Sequence, residues 1–303
     1  MTLTPFTDLM AHADREQYAV GYFECWSLES LMAVADAADA TGSPVMLGFS
    51  GIYLDHPHRE RNEMLSVYST MGREICQQLT VPCTLVFNES PHREGVIEAI
   101  NQKFGLVMYS NEELSLPERI SQIRQIVQIA HRVGIAVEGE AASLPGVSGL
   151  LPEKPVDYPL TEINLARKFV AETGIDAFAV NLGQVHLHGK QKVHLDLHLL
   201  SELHEALQVP LVLHGSTSVY QADISAAVKR GIRKINVGSA LKQVYFAAMQ
   251  EGCRSAPDDY NPYEIIGSGL REDVLVQGRI AMQRKVEAYM HLFGSAGKAR
   301  SHS

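Results

Sequence analysis

The chain has 303 residues, with 35 Asp and Glu against 26 Lys and Arg. That length allows one large α/β domain or two smaller ones, and it needs no disulfide staples. An acidic balance without clustered Lys and Arg argues against nucleic acid as a partner, and no apolar run approaches the ~20 residues of a membrane span.

Four scattered cysteines (Cys25, Cys76, Cys83, Cys253) form no CxxC pair and read as reduced thiols. The first residues carry acids and no apolar core, unlike a signal peptide. A cytoplasmic protein is the expectation.

In chain order, residues 5–16 read as a helix and 18–23 as a first strand that ends at Glu24. An Ala-rich helix over 28–41 closes at Gly42. A second strand, 44–49, ends at Ser50, and the charged stretch 55–62 reads as a loop or an exposed helix start. Helix 63–79 leads to a third strand, 81–87, which ends at Asn88-Glu89. Helix 91–103 precedes a fourth strand, 106–109, ending at Ser110. Helix 117–133 leads to strand 135–137 and Glu138-Gly-Glu140. Residues 141–160, rich in Gly, Pro and Ser, have the length and composition of a mobile lid. Helix 161–173 and strand 177–180 follow, then Asn181-Leu-Gly-Gln-Val-His186. Helix 197–207 and strand 210–213 run into His214-Gly-Ser-Thr-Ser218. Helix 220–230, strand 234–236 and helices near 239–250 and 271–292 complete the chain.

Eight strands alternating with helices over roughly 240 residues is the count of an α/β TIM barrel. The spacing predicts a single barrel domain over 1–303, with short extra helices at the two ends. A doubly wound open sheet is the alternative. It needs a Gly-rich phosphate turn after the first strand, and Phe23-Glu-Cys-Trp26 is not one.

In a barrel all the C-terminal strand ends share one face. They would gather Glu24, Ser50, Asn88, Glu89, Ser110, Glu138, Glu140, His186, His188, His214 and Asn236. A lone His in a loop is usually solvated, and a lone Glu usually caps a helix. The joint pattern is the ligand set of a catalytic divalent metal, Zn first and Mn, Fe or Co as alternatives.

Several stretches resemble the class II, metal-dependent ketose-bisphosphate aldolases, most of all the tagatose- and bacterial fructose-bisphosphate type. They are Tyr18-Ala-Val-Gly-Tyr-Phe23, Ser43-Pro-Val-Met-Leu47, Val137-Glu-Gly-Glu140, Thr173-Gly-Ile-Asp-Ala-Phe-Ala-Val180, Leu211-Val-Leu-His-Gly215, Lys234-Ile-Asn236 and Leu292-Phe-Gly-Ser-Ala-Gly-Lys-Ala299. The resemblance implies a TIM barrel, a carbon–carbon lyase acting on a sugar phosphate or sugar acid, and a homodimer or homotetramer. It places metal-binding histidines at His186, with His188 a near alternative, and at His214. It places a metal-site carboxylate at Glu140 and a phosphate cradle at Gly215, Thr217, Asn236 and Ser239, with Ser50 as a further substrate contact.

The chain departs from the family's pattern at the end of the third strand. The family has an Asp-His pair there, catalytic base and metal ligand, where this chain has Asn88-Glu89. Further departures are Ser110 for an Asp, Leu187 and Gly238 for a Gly and an Asp, and Ser148-Gly149 for an acidic pair. An amide cannot accept and release a proton near neutral pH, although Asn88 would also suit a helix N-cap. Glu89 converts three histidine ligands into two histidines and a carboxylate, a set found on catalytic zinc and iron. Glu24, Glu138 and Glu153 are the candidates for another base. The readings are a divergent metal-dependent lyase, a metal-dependent isomerase or epimerase that shares the enediolate, and a non-catalytic sugar-phosphate binder.

Overall fold

Strands buried on both faces are largely apolar, and this chain supplies eight short runs of that kind, some with polar residues in or after the apolar part. In the computed structural model, which describes residues 3–142, 144, 160–185 and 192–300, they close into one parallel barrel in sequence order. The strands are β1 (Val20–Glu24), β2 (Val45–Ser50), β3 (Cys83–Ser90), β4 (Leu106–Tyr109), β5 (Ala136–Glu140), β6 (Ala177–Val180), β7 (Leu211–Leu213) and β8 (Ile232–Val237). The helices are α1 (Phe6–Arg15), α2 (Leu28–Thr41), α3 (Gly51–Leu54), α4 (Leu65–Gln78), α5 (Arg93–Asn101) and α6 (Leu116–His131). They continue as α7 (Ile163–Thr173), α8 (Leu197–Ala206), α9 (Gln221–Val228), α10 (Ser239–Ser255), α11 (Pro262–Ile265) and α12 (Val274–Phe293).

The expected TIM barrel is therefore the fold, and the open sheet is excluded by the pairing of β1 with β8. Two differences from the sequence reading matter for the site. β3 runs on to Ser90 and β5 to Glu140, each past the apolar run that marks it. The short helices α3 and α11 lie where the sequence shows no helical period. Most of the expected lid, 145–159, lies outside the described residues.

Local chemistry sets the element ends. Ser27 and Ser30 form a reciprocal capping box at the start of α2, and Gly42, left-handed at φ 60°, ends it.

Side-chain alternation divides the apolar side chains into two shells. Phe23, Leu47, Phe87 and Phe178 face outward into the layer between strands and helices. Val20, Tyr22, Met46, Val86, Leu106, Ala179 and Val212 face inward, and the apolar face of α1 (Phe6, Leu9, Met10, Ala13) packs with them. The helix stoppers the N-terminal end. At the other end the inward positions are Glu24, Ser50, Asn88, Glu138, Glu140, His214 and Asn236, a polar mouth on a dry barrel. Among the described residues, no helix is long and apolar enough to cross a membrane.

Candidate active site

Consecutive strand residues normally point to opposite faces, so Asn88 and Glu89 should not meet the same neighbours. A bulge resolves this. The β3–β4 register shifts between Phe87 and Ser90, and Glu89 adopts φ 49°, a left-handed backbone rare for a non-glycine residue. The kink turns both side chains into the mouth. Asn88 Nδ2 donates to Glu89 Oε2 at 2.5 Å, and Asn88 Oδ1 accepts from Asn236 Nδ2 at 3.3 Å. Backbone strain of this kind clusters at functional sites. The N-cap expectation for Asn88 is corrected here: the N-cap position of α5 is His92, whose side chain makes no cap bond, and Asn88 is buried inside the barrel.

His214 stands at the centre. The Leu211–Leu213 strand buries it, and the glycine after it makes the exit turn. Gly215 has φ 63°, and a Cβ there would lie 2.9 Å from the carbonyl oxygen of Val185. Glu89 Oε1 lies 3.1 Å from His214 Nδ1, and Glu138 Oε1 lies 2.6 Å from Nε2. Asn236 Nδ2 also approaches Nε2, at 3.0 Å. Beneath this layer Lys234 Nζ sits 2.8 Å from Glu138 Oε2, both side chains wholly buried, and donates to Asn236 Oδ1 at 2.6 Å.

Burial opposes every charge in this group, and the charges win only through one another. Burial pulls the His214 pKa down, but the carboxylates of Glu89 and Glu138 outweigh it and lift the pKa to about 10. Burial pushes Glu138 up, and Lys234 and His214 bring it below the ordinary carboxylate value. For Lys234 burial prevails over Glu138, and its pKa is lowered. A proton on His214 competes with any metal at the same nitrogen.

The structure brings Asn88, Glu89, Glu138, His214 and Asn236 into one hydrogen-bonded group. Glu138 lies below the open mouth, where it serves His214 and Lys234. Glu140 faces Ser110, whose hydroxyl donates to it at 2.6 Å. Glu24 faces Lys242, with Oε1 2.5 Å from Nζ. Ser50 ends β2 opposite Asn88. Gly215 and Thr217 lie on the turn after β7 and Ser239 opens α10 just after β8, with Ser216 Oγ bonded to the Asn236 carbonyl at 2.6 Å. His186, His188, Ser148, Gly149 and Glu153 lie outside the described residues. Among the described residues no group of three His, Cys, Asp or Glu side chains could hold a metal ion.

Sequence reasoning missed Lys234 and Lys242 as site residues. The signal for Lys234 is present: it alternates in phase with Asn236, out of phase with the apolar Ile235 and Val237, so both face the barrel interior. Lys242 carries no such mark, since a Lys in the first turns of a helix is ordinarily solvated.

Fold and site define a TIM-barrel enzyme with a carboxylate–histidine centre at its C-terminal face. The class-II fructose-bisphosphate aldolase family matches residues 4–298. The fructose-bisphosphate aldolase of Geobacillus stearothermophilus is 30% identical over 300 residues, 99% of each chain. The sulfofructosephosphate aldolase of Alkalicoccus urumqiensis is 26% identical over 295 residues, 97% of each. The crystal structure of the YdjI aldolase from Escherichia coli K12 superposes with a TM-score of 0.80 at 27% identity, covering 98% of this chain and 99% of that one. The chain belongs to the class-II fructose-bisphosphate aldolase family, whose members are carbon–carbon lyases that depend on a divalent metal.

Proposed function

We propose that the protein catalyses aldol cleavage, and the reverse condensation, of a phosphorylated or acidic sugar derivative with a divalent metal held by Glu89 and His214. The observation that carries this is the pair of contacts on the His214 ring. Nδ1 faces the Glu89 carboxylate at 3.1 Å, so one cation between them would have an oxygen and a nitrogen donor. Nε2 faces Glu138 at 2.6 Å. A metal-bound histidine characteristically gives its other N–H to a carboxylate, which fixes the tautomer and the ring. The donor set therefore suits the metal, zinc first, with manganese, iron or cobalt as alternatives. His186, or His188, would supply the third ligand, and Glu140 an alternative one.

The metal supplies stabilisation of the negative charge that grows on the ketone oxygen. The rest belongs to the chain. Gly215 and Thr217, on the turn after β7, and Ser239, which opens α10 just after β8, would seat the anionic group, the place barrels commonly bind phosphate. Asn236 and Ser50 would orient hydroxyls. Asn88 can hold a hydroxyl but cannot carry its proton. That favours one second reading, an isomerase or epimerase that forms the same enediolate without cleavage. We infer a homodimer or homotetramer, supported by the exposed apolar side chains Phe246, Tyr263, Ile266 and Leu270 on and beyond α10; light scattering reads the assembly.

Metal analysis of the purified protein, followed by a coupled assay for triose release, tests the proposal. The parent is expected to carry metal and His214→Ala to lose it. Full metal content in His214→Ala overturns the ligand assignment. Isomerisation without triose release selects the second reading.

A further inference from the structure

Among the described residues, four carboxylates line the mouth or the layer under it, and three are committed. Glu89 takes the Asn88 amide and faces His214. Glu138 lies between His214 and Lys234. Glu140 takes the Ser110 hydroxyl. Glu24 differs. It alternates in phase with Val20 and Tyr22 and so points inward at the end of β1. Its Oε1 is held by Lys242 at 2.5 Å, and Oε2 has no protein hydrogen-bond donor among the described residues.

Two features make this placement specific. A Cβ on Gly238 would collide with Glu24 Oε2, so the carboxylate fills the space that any side chain after Asn236 would need. Lys242 is held in turn, its Nζ 3.8 Å from the Tyr53 ring centre and 5.8 Å from that of Trp26. The carboxylate is thus clamped at one oxygen and open at the other, with 14% of the side chain exposed.

We propose that Glu24 Oε2 is the proton carrier of the aldol step, in the role that Asn88 cannot fill, and that Lys242 is its positioning residue. This rests on the lyase reading above. In cleavage, the hydroxyl on the carbon of the breaking bond that becomes the aldehyde gives its proton to Glu24. The O–H electron pair becomes the second bond of the aldehyde carbonyl. The carbon–carbon bond breaks, and its electron pair stays with the ketone fragment as an enediolate, which is then protonated by water, and the hydroxide left takes the proton from Glu24. Condensation returns the Glu24 proton to the new alkoxide. Burial raises the Glu24 pKa, Lys242 partly offsets this, and Glu89 adds to the rise. The net shift is toward the neutral range where general bases work best.

The test uses the zinc-loaded protein with dihydroxyacetone phosphate and the best of three aldehyde acceptors, glyceraldehyde 3-phosphate, glycolaldehyde and lactaldehyde, with ketose formation as the readout. Glu24→Ala is expected to lower kcat by ~10²–10⁴-fold, to keep its metal and KM, and to regain part of the rate when formate is added. Gly238→Ala, which pushes Oε2 aside, is expected to lower kcat in the same direction. Parental kcat in Glu24→Ala overturns the proposal, as does a loss that formate leaves untouched. A parent that carries no zinc and forms no ketose overturns the lyase reading itself, and this proposal with it.

Discussion

Asn88→Asp combined with Glu89→His should raise cleavage of fructose 1,6-bisphosphate or tagatose 1,6-bisphosphate by roughly 10²–10⁴-fold over the parent, the usual worth of a positioned general base. Asn88 retains the size of aspartate and one acceptor oxygen, which now takes the Asn236 amide at 3.3 Å. A sugar hydroxyl could still be held there, but its proton has nowhere to go on the β3 side. Glu89 compounds the change. A carboxylate neutralises more of a metal's charge than imidazole does and weakens its pull on the ketone oxygen. The β3 bulge already turns both positions into the mouth, so the two substitutions need no new backbone path. A coupled assay for triose phosphate decides the matter. A parent that cleaves either bisphosphate with kcat on the order of 10 s⁻¹, an ordinary enzyme rate, removes Asn88 as the defect.

Lys234→Met should cost about 3–5 kcal/mol of stability, because it takes one of the two cations that hold Glu138 out of a wholly buried pair. The Lys234 and Glu138 side chains are both 0% exposed, and among the described residues His214 is the one cationic neighbour left to Glu138. At roughly 1.5–2 °C per kcal/mol for a chain of this length, calorimetry should show a melting point lower by about 5–10 °C. Adding Glu138→Gln should recover part of it, since the under-compensated charge is then gone. A single variant that melts with the parent would mean that His214 alone satisfies Glu138.

The alternation of strands and helices was legible because buried parallel strands are continuous apolar runs, and 106–109 and 177–180 match their observed bounds. The ends of β3 and β5 were not. Asn88-Glu-Ser90 and Glu138-Gly-Glu140 are polar, and polar residues after an apolar run read as loop. Here they remain in the sheet, because the upper interior of the barrel is itself polar and pairs them with His214, Lys234, Asn236 and Ser110. The metal-site reading identified His214 and Glu89 as neighbours, although they lie on β3 and just after β7, far apart in sequence. It could not foresee that Glu138 spends one oxygen on a lysine. Nor could it foresee that Glu24, and not Glu138, is the described candidate base left with an oxygen open to the mouth.

The stopper formed by α1 makes the barrel a vessel with one opening. Phe6, Leu9, Met10 and Ala13 seal its floor against Val20, Met46 and Val212, so hydration of the interior and proton traffic to Glu138 and His214 must pass the same mouth as the sugar. On the proposed function, a sugar seated over His214 would cork that opening and shield the Glu138–His214 ion pair beneath it from the bulk solvent.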